Sequence, residues 1–156
     1  MGGLNTSSGS SSVAMGALNT SSGNYGFAMG SYNTSSGSYG VAMGTNNTSS
    51  GLLSVAVGGL NTSSGYYSVA MGIYNTSSGN SSVAMGSNNT SSGIETLALG
   101  SEVTAEGDAS MAFGMQTAAQ ATDPKISGAR STVFFSDGGT ANSNSCLLYT
   151  SPSPRD

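Results

Sequence analysis

Serine is abundant in this chain, and a serine becomes a nucleophile only when a general base lies within hydrogen-bond reach. The sequence contains no histidine, and its one lysine, Lys125, stands outside the repetitive region that holds most of the serines. Hydrolytic triads are thereby excluded. Cys146 is the only cysteine, so neither an intrachain disulfide nor a cysteine-based metal site is available. Glu102, Glu106 and Asp108 are close enough in sequence to touch one cation. Calcium-binding solenoids, however, carry a Gly/Asp repeat that is missing here, and a solvated charged turn is the expectation for these acids. No catalytic, cofactor-binding or metal-binding residue is expected, and no cofactor.

What remains is chemistry by hydrogen bond. Seven Asn-Thr-Ser triplets begin at Asn5, Asn19, Asn33, Asn47, Asn61, Asn75 and Asn89. Each fits the acceptor pattern for an N-linked glycan, although an Asn at a tight turn needs no glycan to explain it. The threonines of these triplets recur at a constant interval beside a second column formed by Ser8, Ser22 and their successors. Stacked as strands they would make a flat, uncharged hydroxyl ladder with a step of about 4.8 Å. The candidate surface ladder is Thr20, Thr34, Thr48, Thr62 and Thr76. Such a ladder suits an adhesive or structural surface, or the ordering of water as Thr-ladder ice-binding solenoids do it. Tyr32, Tyr67 and Tyr74 interrupt the turns irregularly, which suits a contact surface better than a lattice match.

The first 94 residues hold no Asp, Glu, Lys, Arg or His, and the whole chain carries a net charge of only −4. A partner met by the repeats must be bound through shape, hydrogen bonds or apolar contact. Nucleic acid is not an expected partner, because phosphate binding needs clustered Lys or Arg. No apolar run approaches the roughly 20 residues of a membrane span, and no charged start followed by an apolar core marks a signal peptide.

The elements that must position these residues follow from a strict period. Glycine recurs at every fourteenth position from Gly2 to Gly114, and seven copies of NTSSG are each followed by a short apolar run, usually VAMG. An eighth copy, GSEVTAEGDASMAF from Gly100, keeps the spacing with altered residues, and GMQTAAQA from Gly114 reads as a half-copy. The Gly, Ser, Thr and Asn content alone would suggest a disordered chain, but apolar residues confined to fixed places in the period argue for a fold. Such a repeat accommodates two short strands and two tight turns. The fold expected is all-β, a thin parallel β-solenoid of 14-residue coils. An apolar strand over Ser12–Met15 and a polar strand over Asn19–Ser22 are expected, with Gly16 and Gly23 at the turns in positive φ.

Alternation along a strand decides which side chains face inward. One parity is small throughout: Asn19, Ser21, Gly23, Gly26, Ala28 and Gly30 in the second coil. These can pack across a narrow interior, with stacked Asn and Ser bonding along their columns. Val and Met would then point outward as an apolar stripe, including Val41, Val55, Val69, Val83, Met43 and Met71. Burying each such side chain contributes about 1.5–3 kcal/mol, while ordering each residue costs about 1–2 kcal/mol, so a lone coil would be poorly stabilised. A stripe of this extent usually marks an interface. The competing arrangement puts Val and Met inside a monomeric roll and leaves Ala and Ser outside.

SVAMG followed by glycine and small residues at alternate positions resembles the YadA-like head repeat of trimeric autotransporter adhesins. The resemblance covers Met1 to about Ala121 and is closest at DASMAFGMQTAAQA, from Asp108 to Ala121. It departs upstream, where Asn19 and Ser21 stand where the family tends to have Ala, a substitution conservative in size. The resemblance implies a left-handed β-roll and a homotrimer formed through the apolar stripe, whose candidate residues are those six. It also implies a non-catalytic head or spacer that attaches to host matrix proteins, glycans or cell surfaces. Similar repeats occur in phage tail fibres.

The ends invite separate readings. Met1 falls in the repeat's own methionine column, one full period before Met15, so upstream repeats are expected to be missing, and an exported protein would have its export signal outside this chain. CLLYTSPSPRD, from Cys146 to Asp156, shares nothing with the repeats and looks like a translated transposase-type sequencing adapter. Residues 1–121 are therefore expected to form the roll, 122–145 an unassigned connector and 146–156 a non-native tail.

Overall fold

The computed structural model describes residues 3–115, 125–126 and 133–136. Within them the chain is a parallel β-solenoid without helix. Each coil supplies a two-residue strand such as Thr20–Ser21 and a five-residue strand such as Phe27–Ser31. Short strands pair only with short ones and long only with long, giving two nine-stranded parallel sheets. Register is held at one repeat throughout: Thr20 opposes Thr34, and Phe27, Ala28 and Met29 oppose Val41, Ala42 and Met43. Every column of the sequence thus becomes a physical ladder.

The expected parity holds. Asn19, Ser21 and Ala28, with their counterparts in the following coils, are fully buried between the sheets, whereas Val and Met lie on the outer surface of the long-strand sheet. Val13 is 39% and Met15 54% exposed. The arrangement with Val and Met of these columns inside is not the one observed: the interior is occupied by the Ala, Ser and Asn columns.

The turns differ from expectation. Gly16 does have a positive φ of 118°, yet it sits inside the strand Val13–Ala17, and Gly23 is not in the left-handed region. Left-handed as well are Leu18 and Tyr25, with φ of 58° and 57°, and their equivalents through the described coils, none of them glycine. The glycines are required for closeness. A Cβ on Gly23 would overlap the carbonyl oxygen of Gly37 in the next coil, and one on Gly16 would overlap that of Gly30. Strands are also displaced relative to the sequence reading: the polar one is confined to Thr20–Ser21, and the apolar one begins at Val13 and continues to Ala17.

Both sheets extend beyond the regular repeats. Lys125–Ile126 pairs with Thr104 and Ala105, and Val133–Ser136 pairs with Met111 to Gly114. The segment expected to be a connector therefore contributes one strand to each sheet, at an interval longer than one regular coil. The expected boundary at 121, the half-copy beyond Met115 and the tail 146–156 lie outside the described residues.

Candidate functional site

The outer faces of the coil stand on a hydrogen-bonded interior. Asn33 shows the pattern. Its Nδ2 donates to Asn19 Oδ1 at 3.0 Å, Met29 O at 2.9 Å and Gly44 O at 2.7 Å, and its backbone N–H donates to the same Asn19 Oδ1 at 3.0 Å. Its Oδ1 in turn accepts both N–H groups of Asn47 at 3.0 Å. The ladder runs in this way to Asn89, whose Oδ1 accepts the backbone N–H of Val103 at 2.9 Å. An unpaired buried amide would cost about 1–3 kcal/mol, so full satisfaction is what permits a polar interior.

Serines close the other side of the interior. Ser49 Oγ and Ser54 Oγ lie 2.6 Å apart, and Ser54 Oγ donates to Gly51 O at 2.8 Å. The same pairing recurs at Ser63–Ser68, Ser77–Ser82 and Ser91–Thr96. The same bonds repeated from coil to coil keep the interior regular along these coils.

Two outward faces result. On the short-strand sheet Thr20, Thr34, Thr48, Thr62 and Thr76 align in register and are half-buried, with Ser22, Ser36, Ser50, Ser64 and Ser78 exposed two positions on. On the long-strand sheet Val41, Val55, Val69 and Val83 form one in-register column, and Met43 and Met71 belong to a second, with Val57 between them. Five of these six candidate interface residues are half-buried in the single chain and Met71 is 38% exposed. The threonine ladder and the Val/Met stripe lie on opposite sides of the solenoid.

The turn edges carry residues that the sequence reading undervalued. Tyr25, Tyr39 and Tyr67 line one edge, Tyr32 and Tyr74 the other, all exposed and all left-handed. The Tyr25 and Tyr39 rings stack, with centroids 4.9 Å apart. Two tyrosines placed one full repeat apart, and hence in register, are the signal that could have found this pair.

The acids of the eighth copy stand on two turns. Glu102 lies at the turn before Thr104–Ala105, Glu106 and Asp108 at the turn after it. Asp108 Oδ1 accepts the backbone N–H of Ile94 at 3.0 Å, as Asn24 Oδ1, in the same column, does for Ser10. No group of three or more His, Cys, Asp or Glu side chains able to hold a metal occurs among the described residues.

The fold and its two faces define a repeat-built, two-sheet solenoid of the kind that displays long regular surfaces. Segments 7–33, 35–61, 49–75, 63–89, 77–102 and 91–117 each match the family model of the YadA head domain repeat, taken two copies at a time. The chain belongs to that family, the head repeat of YadA-like trimeric autotransporter adhesins. No curated protein matches it.

Proposed function

We propose that the chain is part of a non-catalytic adhesin head or rigid spacer, a segment of a longer protein displayed at the cell surface as a homotrimer. The observation that supports this reading is the outward Val/Met stripe. Two columns of eight apolar side chains run along one face of a coil whose own interior is already filled by Asn, Ser and Ala. Burial of such a stripe against two copies of itself would supply the apolar stabilisation that the narrow interior lacks. Trimerisation leaves the opposite hydroxyl face outward, where many aligned weak contacts act together on matrix proteins, glycans or cells.

Sedimentation equilibrium tests the assembly: three times the chain mass of 15.3 kDa is expected, and Val69→Asp should dissociate or unfold it. A stable, well-folded monomer would sink the trimer. Beads coated with the protein should be retained on matrix or glycan surfaces, with retention that falls as coils are deleted. Retention should be little changed by salt, because no charge lies in the first 94 residues. Absence of retention on all surfaces would leave only the spacer role.

A further inference from the structure

An N-linked glycan is attached at Nδ2 of Asn in Asn-x-Ser/Thr, and, the half-buried Asn5 of the first coil aside, this fold treats its acceptor sites in two opposite ways. Asn19, Asn33, Asn47, Asn61, Asn75 and Asn89 are 0% exposed, and each Nδ2 faces three oxygens at 3.0 Å or less. Three further acceptor triplets are hidden in the repeats: Asn46-Asn47-Thr48, Asn80-Ser81-Ser82 and Asn88-Asn89-Thr90. Asn46, Asn80 and Asn88 are all exposed, Asn46 and Asn88 as the left-handed turn residue.

We infer that Asn46, Asn80 and Asn88 are the positions at which the folded solenoid can carry N-glycans, and that a glycan on any of the six buried ladder asparagines bars that coil from folding. Transfer from a lipid-linked oligosaccharide forms a bond between Nδ2 and the sugar's anomeric carbon. It breaks that carbon's bond to the pyrophosphate oxygen and releases the lipid pyrophosphate and one Nδ2 proton. The modified nitrogen keeps one hydrogen where three acceptors converge, and the sugar would have to occupy the space filled by the carbonyl of the adjacent coil, such as Gly44 O at 2.7 Å from Asn33 Nδ2. No rotamer rescues this, because Oδ1 is itself held by two donors from the following Asn. The chain is accordingly suited to a route of synthesis that leaves the ladder unglycosylated. The inference rests on the interior and not on the adhesion reading.

The test is to treat the full, urea-unfolded chain with an oligosaccharyltransferase and a lipid-linked oligosaccharide, and then to dilute out the urea. Molecules that resist a nonspecific protease are separated from those that do not, and occupied sites are mapped by the Asn to Asp conversion left by an amidase. A mock-treated chain must refold in parallel. Glycan at the six buried positions should be depleted about tenfold or more in the resistant fraction, as loss of buried hydrogen bonds requires. Occupancy at Asn46, Asn80 and Asn88 should be alike in both fractions. In the N46Q/N80Q/N88Q variant, molecules glycosylated at ladder positions should all be digested. Resistant molecules carrying glycan at Asn33, Asn47 or Asn61 would overturn the inference, as would exclusion of glycan from Asn46, Asn80 and Asn88.

Discussion

Between Asn19 and Ser91 the interior of the solenoid is lined by Asn, Ser and Ala. One coil further on, Val103 and Ala105 take the places of Asn and Ser and cluster with Ala98 and Ala112. The backbone does not register the change: Thr90 opposes Thr104 and Ser91 opposes Ala105 in the same parallel pairing used throughout. Size decides what the interior accepts, and polarity is tolerated only as a complete network. The junction shows both halves of that rule. Val103 offers its backbone N–H to Asn89 Oδ1, so the ladder ends with its last oxygen satisfied. Across the same coil Ser110 faces Ala105 instead of a serine, and its Oγ is left without a partner.

Replacing one ladder member should have the largest effect, and its size should depend on place. Asn47→Val removes the acceptor of both the backbone N–H and the side chain of Asn61, and the donor to Met43 O and Gly58 O. With several buried groups orphaned at about 1–3 kcal/mol each, a loss of about 3 kcal/mol or more is expected. Asn89→Val should cost less by about 1 kcal/mol or more, because the residue above it, Val103, loses only a backbone partner. Urea unfolding of the two variants measures this. Equal losses would mean that ladder members do not support one another.

The reverse exchange is a smaller perturbation. Val103→Asn places an amide beside Asn89 Oδ1, as Asn89 lies beside Asn75 Oδ1 at 2.9 Å. Because the interior accepts either chemistry at this size, stability should change by no more than about 1 kcal/mol. A loss above about 3 kcal/mol in the same urea experiment would show that the last coil has an interior of its own kind, not interchangeable with the others.

Much of this was legible in the sequence because the period is strict. The constant spacing of the glycines gave the coil, and the small parity of Asn19, Ser21 and Ala28 gave the interior, since alternation is a property of any strand. The turns were misread for a physical reason. Glycine suggests positive φ, which holds at Gly16, but at Gly23 glycine serves the close approach of the next coil, and the turns also use left-handed Leu18 and Tyr25, which no composition rule selects. The strands Lys125–Ile126 and Val133–Ser136 were missed because they return to the sheets after an irregular interval, where a fixed period cannot find them.

The smallest effect expected is a gain. Ser21 and Ser35 both face a glycine, Gly26 and Gly40, where Ser7 before them and Ser49 after them face a serine. Ser35 Oγ donates to Gly40 O at 2.8 Å, whereas Ser21 Oγ, fully buried, has no partner. Gly26→Ser would reproduce the pair seen at Ser49 and Ser54, satisfying Ser21 and letting the new hydroxyl reach Gly23 O as Ser54 reaches Gly51 O. Gly26 is not in the left-handed region, and an added Cβ would meet Ser21 Oγ at 2.7 Å, a hydroxyl that can turn aside, and the backbone oxygen of Gly23 at 2.9 Å, which must shift by a small amount and offsets part of the gain. Satisfying one buried hydroxyl and restricting the unfolded chain should together add about 0.5–1 kcal/mol. A rise in the thermal midpoint would show it. A fall would mean that the coils holding Gly26 and Gly40 have a narrower interior than those with a serine pair, and that the comparison between polar and apolar coils must be drawn within the polar region as well.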